Sequence, residues 1–226
     1  MNSAPVDVAS VRYPGERPAF FVLLFASLIT VTVIATLAAT GNQGVWVFLL
    51  YIGMFVAFGW LAKVFLLASI RGHGVKVGAE QYPEIHKYVQ DFGDRLGLKQ
   101  LPEVYVVQNT LMNAFATKAI RRKYVVLYST LVDAALESGD YGEIAMIVGH
   151  EMAHHAAGHV RWYRLLQFGM WVPFLYMFWS RRAEYTCDRV GFLLVQDVKP
   201  ALQGILKLSV GRKLAAGTNF LALRQQ

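Results

Sequence analysis

Residues 140–159 read DYGEIAMIVGHEMAHHAAGH, and the rest of the chain is best understood outward from them. Asp140 followed three residues on by Glu143 has the form of a capping box, which opens a helix. Ile144, Ile147, Val148 and Glu151 continue at helical spacing to about His159. Within this helix His150-Glu151-Met152-Ala153-His154 places two histidines four apart, one turn from each other on one face. Both imidazoles can reach a single tetrahedral zinc ion. Glu151 is offset by one position, so it cannot join them as a ligand and instead suits a general base for water activated at the metal. His155 points about 100° around the helix from His154. His159 lies five residues beyond His154, where a metzincin third ligand would lie six beyond. We therefore read His155 and His159 as structural or supporting residues.

Zinc in hydrolases usually takes three protein ligands and keeps one position open. Ala183-Glu184-Tyr185-Thr186-Cys187-Asp188-Arg189 supplies a third. Glu184 and Asp188 share a helix face. Glu184 can ligate the ion, completing a set with His150 and His154. Asp188 can accept the free ring N–H of a ligating histidine, which fixes its tautomer. The single cysteine, Cys187, reads as a small buried residue, and a lone cysteine allows no intrachain disulfide.

Composition sets this site beside a membrane. Of 226 residues 55% are hydrophobic and 16% charged, too apolar for an ordinary soluble domain. The excess is concentrated in Ala19–Thr40 and Val45–Ile70, each long enough to cross a bilayer as a helix. The uncharged turn Gly41-Asn42-Gln43-Gly44 joins them into a hairpin. The net charge of +7 comes from Arg and Lys beside apolar segments (Arg12, Arg17, Lys63, Arg71, Arg161, Arg164, Arg181 and Arg182). That pattern suits an anionic membrane surface and argues against nucleic acid. The turn between the spans has no Lys or Arg, so the positive-inside rule puts both outer ends in the cytoplasm. The expected division is an N-terminal cytoplasmic segment at 1–18, a transmembrane hairpin at 19–70 and a zinc-binding domain at 71–226.

In that domain Tyr82, Ile85, Val89, Phe92 and Leu96 predict an amphipathic helix between Pro83 and Gly97. Val104–Val107, Asn113–Thr117 and Tyr124–Tyr128 read as strands of a small antiparallel sheet, with the basic Lys118–Lys123 stretch between the last two. Ser129–Glu137 reads as helix.

The chain resembles the HtpX / CAAX prenyl protease family of integral-membrane zinc metallopeptidases. The resemblance rests on Leu101-Pro102-Glu103-Val104-Tyr105-Val106, Asn113-Ala114-Phe115-Ala116, His150–His154 with His159, and Ser180-Arg181-Arg182-Ala183-Glu184 with Asp188 and Gly191. It covers about residues 80–195. It implies a mainly α fold with a small antiparallel sheet: a zincin-like domain behind the hairpin. It also implies a gluzincin-type site with one Zn2+ per chain on His150, His154 and Glu184, and Glu151 as base. Asn113, Ala114, Phe115 and Ala116 would form an edge strand that binds substrate backbone by strand addition. The implied partners are a protein or peptide substrate and the lipid bilayer, and the implied location is a bacterial inner membrane with the catalytic domain facing the cytoplasm. Two departures stand out. One apolar segment, Leu165–Trp179, separates the metal motifs where members commonly carry two. No His follows His159, which leaves Arg189 and Arg212 as oxyanion candidates. A catalytically impaired, membrane-tethered zinc scaffold is the rival reading.

Coordination constrains Leu165–Trp179. A single crossing there would put His150 and His154 on the opposite side of the membrane from Glu184. The segment should therefore dip into the bilayer and return, or lie at its interface.

Overall fold

The computed structural model describes residues 4–119, 122–170, 172–215, 217–219 and 222. Part of the Lys118–Lys123 stretch, Trp171, and the side chains of Arg164 and Arg212 lie outside that set, and with them one oxyanion candidate. The chain begins with a short helix α1 (Val8–Val11). Two long apolar helices follow, α2 (Glu16–Ala39) and α3 (Gln43–His73). Then come β1 (Val75–Lys76), α4 (Pro83–Arg95), β2 (Glu103–Val107), β3 (Ala114–Ala119) and β4 (Arg122–Tyr128). Helices complete it: α5 (Ser129–Glu137), α6 (Tyr141–Ala156), α7 (His159–Leu166), α8 (Pro173–Val195), α9 (Val198–Val210) and α10 (Arg212–Ala215).

α2 and α3 are about 36 and 46 Å long at 1.5 Å per residue, enough for a hydrocarbon core of about 30 Å. Their large apolar side chains face outward, with Phe25 65% and Phe55 78% exposed. Such a surface in water would be an extreme apolar patch; these two helices support membrane association.

The sheet has the order β1-β2-β4-β3. β3 and β4 form the expected antiparallel hairpin, with Ala114 opposite Leu127 and Thr117 opposite Tyr124. β2, however, pairs parallel with β4, Val104 beside Val125, so the sheet is mixed where all-antiparallel pairing was expected. The reason is the order of insertion. After β2 the chain passes over to the far edge as β3, and its hairpin partner β4 returns between the two. A strand returning that way must run with β2. Alternation then buries both faces. Val104, Val106, Val125 and Leu127 enter the main core, while Tyr105, Tyr124 and Val126 pack on Leu67 and Ile70 at the end of α3.

α6 is the central helix. Its residues Ile144 to Gly149, together with Met152 and Ala153, are buried. Asp140 caps it by accepting from the Gly142 N–H at 2.9 Å. The reciprocal half of the expected capping box is absent, because Glu143 is buried and ion-paired with Lys207 of α9 instead. α4 closes at Gly97, whose φ of +61° suits glycine.

α6 and α8 cross at two glycines. A Cβ on Gly191 would lie 2.9 Å from Met146 Cε and 3.1 Å from the Met146 carbonyl oxygen. One on Gly149 would lie 3.1 Å from Leu194 Cδ1 and 3.3 Å from the Gly191 Cα. This close approach lets side chains of α6 and α8 meet. Gly191→Ala should destabilise the fold by about 1–3 kcal/mol through overpacking and weaken metal retention. Thermal melts with and without zinc would check both.

α7 leads through a short turn at Gln167–Gly169 into the start of α8. Gly169 packs against α2: a Cβ there would lie 2.7 Å from Ser27 Oγ and 2.8 Å from the Leu23 carbonyl oxygen. Ser27 is about 16 Å along α2 from Glu16, roughly half a hydrocarbon thickness. Phe174 and Met177, at the start of α8, are 84% and 65% exposed.

Residues 4–16 do not stand apart as a leader to the first span. The Val6 N–H donates to the Arg95 carbonyl oxygen at 2.8 Å, and Val6, Val8 and Val11 pack on the main core. Arg12, expected among the headgroup cations, is turned inward: it pairs with Glu16 and donates to the Ala157 carbonyl oxygen at 2.6 Å. Arg182 likewise lies over the Phe178 ring, 3.3 Å from its centroid.

Candidate metal centre and active site

The helical spacing of α6 carries His150 and His154 to the same side, facing α8. There Glu184 Oε2 lies 3.1 Å from His150 Nε2 and 3.6 Å from His154 Nε2. Donor atoms on one tetrahedral zinc are about 3.3 Å apart for bonds of about 2.0–2.1 Å, so this spacing fits a shared ion. His150 Nδ1 is 2.9 Å from Asp188 Oδ1. An ionised carboxylate only accepts, so Nδ1 carries a proton for Asp188, and Nε2, on giving up the proton it shares with Glu184, would be the ligating atom.

Electrostatics follow from these contacts. Burial pushes the His150 imidazole down, but hydrogen bonds to Asp188 and Glu184 outweigh it and carry it up to about 10. Burial pushes Glu184 up, yet the hydrogen bonds and charge of the two imidazoles hold it well below the usual carboxylate range. Glu151 moves the other way. It is 6% exposed, and burial raises it despite His150, His154 and the Ala116 backbone N–H, which favour its charged form.

His150, His154 and Cys187 also offer one donor atom each within 4.8 Å of one another. Cys187 is fully buried, and burial with the nearby carboxylates Glu184, Glu151 and Asp188 pushes its thiol well up. Its Sγ lies 3.6 Å from His159 Nδ1.

His155 is directed away, with Nε2 3.0 Å from the Tyr124 carbonyl oxygen, and burial lowers it to about 4. His159 faces His154, Nδ1 to Nδ1 at 3.1 Å, and its Nε2 is 3.0 Å from Glu16 Oε1. Glu16 and Thr186, which donates to it, went unnoticed in the sequence. A lone acid at the mouth of an apolar span was the available signal.

A cleft of about 490 Å³ opens beside Glu151, His154 and Glu184. β3 forms one wall through Ala114, Phe115, Ala116, Thr117 and Lys118, and α7 with the start of α8 forms the other through Tyr163, Tyr176 and Trp179. A smaller cavity on the far side of Glu151 and Glu184 is lined by Asn113, Ala114 and His150. Asn113 stands just before β3; its carbonyl accepts from the Tyr128 N–H at the end of β4 at 3.0 Å, and its Oδ1 accepts its neighbour's N–H at 2.8 Å. Arg189 lines neither cavity. Its guanidinium sits 4.7 Å from the centre of the Tyr13 ring, so it is not placed to serve an oxyanion. Tyr163 and Tyr176 were not singled out from the sequence.

A His-Glu-x-x-His helix thus crosses a carboxylate-bearing helix, with an edge strand alongside. Residues 79–177, rather less than half of the chain, match the model of peptidase family M48. The match includes both histidines and ends before Glu184. The chain is 26% identical to the plastoglobule-localized metallopeptidase 48 of Arabidopsis thaliana chloroplasts, over 66% of this chain and 46% of that protein. It thus spans about half the length of the curated relative it matches. No solved structure matches it.

Proposed function

We propose that this protein is a membrane-anchored zinc endopeptidase acting on membrane or membrane-associated proteins. His150, His154 and Glu184 would hold one zinc ion, with Asp188 orienting His150. The observation that carries the reading is the convergence of both Nε2 atoms on Glu184 Oε2, beside the edge strand β3. The M48 match and the metallopeptidase relative support the same class. We prefer Glu184 to Cys187 as third ligand, because a carboxylate already ionised at the imidazoles needs no proton removed.

When bound, zinc supplies Lewis-acid activation of a water and of the scissile carbonyl. The residues do the rest. The outer edge of β3 would bind an extended substrate backbone along Ala114–Ala116, substrate taking over the N–H groups that Asn113 Oδ1 and Glu151 hold at Ala114 and Ala116. The buried Glu151 carboxylate would take a proton from the attacking water and deliver it to the leaving amine. The cleft lies between β3 and the α7–α8 segment lodged against α2, with Lys63 of α3 at its rim, so substrates would be met at the membrane surface. Charge asymmetry favours the side bearing Arg17, Lys63 and Arg71 as the side of the domain.

Protein purified in detergent should contain about one zinc per chain and degrade an unfolded substrate such as casein. Chelator should abolish the activity and added zinc restore it. Zinc without turnover would point to the scaffold reading; no zinc would remove the proposal.

A further inference from the structure

We propose that Glu16, the first residue of α2, positions the zinc ligand His154 through His159. This rests on His154 holding the metal as proposed above.

The polar chain behind His154 is closed and has a direction. Glu16 is 1% exposed, His159 7% and Thr186 0%. His159 Nδ1 faces both His154 Nδ1 at 3.1 Å and, farther off, Cys187 Sγ at 3.6 Å; two bare Nδ1 atoms at 3.1 Å would repel, so the nearer contact needs a proton whichever way the thiol turns. The Tyr13 N–H donates to Thr186 Oγ1 at 2.9 Å, and the Thr186 hydroxyl donates onward to Glu16 Oε2. Arg12 donates to Glu16 Oε1. A carboxylate bound to Arg accepts only, so His159 Nε2, 3.0 Å away, must carry the proton between them. A neutral His159 then presents a bare Nδ1. His154 Nδ1, 3.1 Å away, is the donor to it. That assignment leaves the His154 Nε2 lone pair facing Glu184 Oε2 at 3.6 Å, where the ion would sit. The Trp179 ring meets His159 edge-on at 5.9 Å and limits its rotation.

The two ligating histidines are thus oriented differently. Asp188 of α8 holds His150 directly. His154 is held at one remove, by a carboxylate some 140 positions earlier, at the point where the chain enters the first span. Arg12 also grips the Ala157 carbonyl oxygen, fastening this entry segment to the end of α6. The segment before the first span therefore belongs to the metal centre as well as to the membrane anchor.

The test uses the full chain in detergent, with Glu16→Ala, Glu16→Gln and His154→Ala. Zinc affinity is read by competition with a chromogenic chelator, and ligand geometry by the visible spectrum of the cobalt-substituted protein. Glu16→Ala should weaken zinc binding about 10–100-fold, as loss of an outer partner of a ligating histidine does. Glu16→Gln keeps an acceptor oxygen and should lose less. Both should shift the cobalt spectrum, and at saturating zinc both should lower kcat with KM little changed. Should Glu16→Ala fail to fold, Glu16→Gln carries the test. A purely structural Glu16 would lower the melting temperature of metal-free and zinc-loaded protein alike. Affinity and spectrum would then stay at wild type, and that result overturns the proposal. If His154→Ala loses zinc while both Glu16 variants retain it, only the link fails. If His154→Ala retains zinc as tightly as wild type, the ligand assignment itself fails and the link with it.

Discussion

Glu151→Gln is expected to leave the protein folded and zinc-loaded while reducing peptide hydrolysis by about 100- to 10 000-fold, the range spanned by loss of a positioned general base. The substitution keeps the size of the side chain and a hydrogen-bonding oxygen, so packing around this nearly buried position is preserved. What it removes is the ability to take and return a proton. Burial holds the Glu151 carboxyl above its ordinary value, which brings it closer to neutrality and improves it as a shuttle between water and leaving amine. The neighbouring imidazoles and the Ala116 N–H oppose burial and favour the charged form that a base needs. Glu151 also lines both cavities that meet at the metal residues, where an attacking water and a scissile bond would be. Zinc content and casein digestion, measured on the same preparation, separate the two effects. A variant that digests casein at the wild-type rate would show that Glu151 is not the base.

Glu184→Ala should have the largest effect on metal content. Its carboxylate supplies the third point at which the two imidazoles converge, and the described residues place Asp188 Oδ1 on His150 Nδ1, turned from the shared position. With Glu184 truncated, two nitrogens remain, and zinc hydrolase sites are ordinarily built on three protein ligands. The loss of affinity should exceed the roughly 10–100-fold expected when an outer-shell partner is removed. Asp188→Asn supplies that comparison, since it weakens the orientation of His150 without removing a ligand. Equilibrium dialysis against buffered zinc should rank wild type above Asp188→Asn, and Asp188→Asn above Glu184→Ala. Equal affinity for wild type and Glu184→Ala would remove Glu184 from the metal.

The elements nearest the proposed metal site were legible because their signals are local. His150 and His154 meet through helix periodicity alone. Pro83 and Gly97 mark α4 because one residue type suits each end. The two apolar helices follow from length and composition. What escaped the sequence depends on contacts between distant residues. The parallel pairing of β2 with β4 is set by which strand takes the edge, and Val104 and Val125 alternate alike in either arrangement. Glu143 has the form of a capping residue until Lys207, on a helix that periodicity did not reveal, claims it. Arg12 and Arg17 look equivalent before a span, yet Arg12 is drawn inward by Glu16. Asp188 was within reach of sequence reasoning because it lies one turn from Glu184, whereas Glu16 offered only its place as a lone acid at the mouth of an apolar span, with no periodicity relating it to His159.

The most direct test of the central claim is X-ray absorption at the zinc edge on purified, zinc-loaded protein. Coordination by His150, His154 and Glu184 predicts a first shell of nitrogen and oxygen only, at about 2.0–2.1 Å, with the outer-shell scattering of two imidazoles. A sulfur scatterer at about 2.3 Å would put Cys187 on the ion in place of Glu184, and a shell without imidazole would contradict the account altogether.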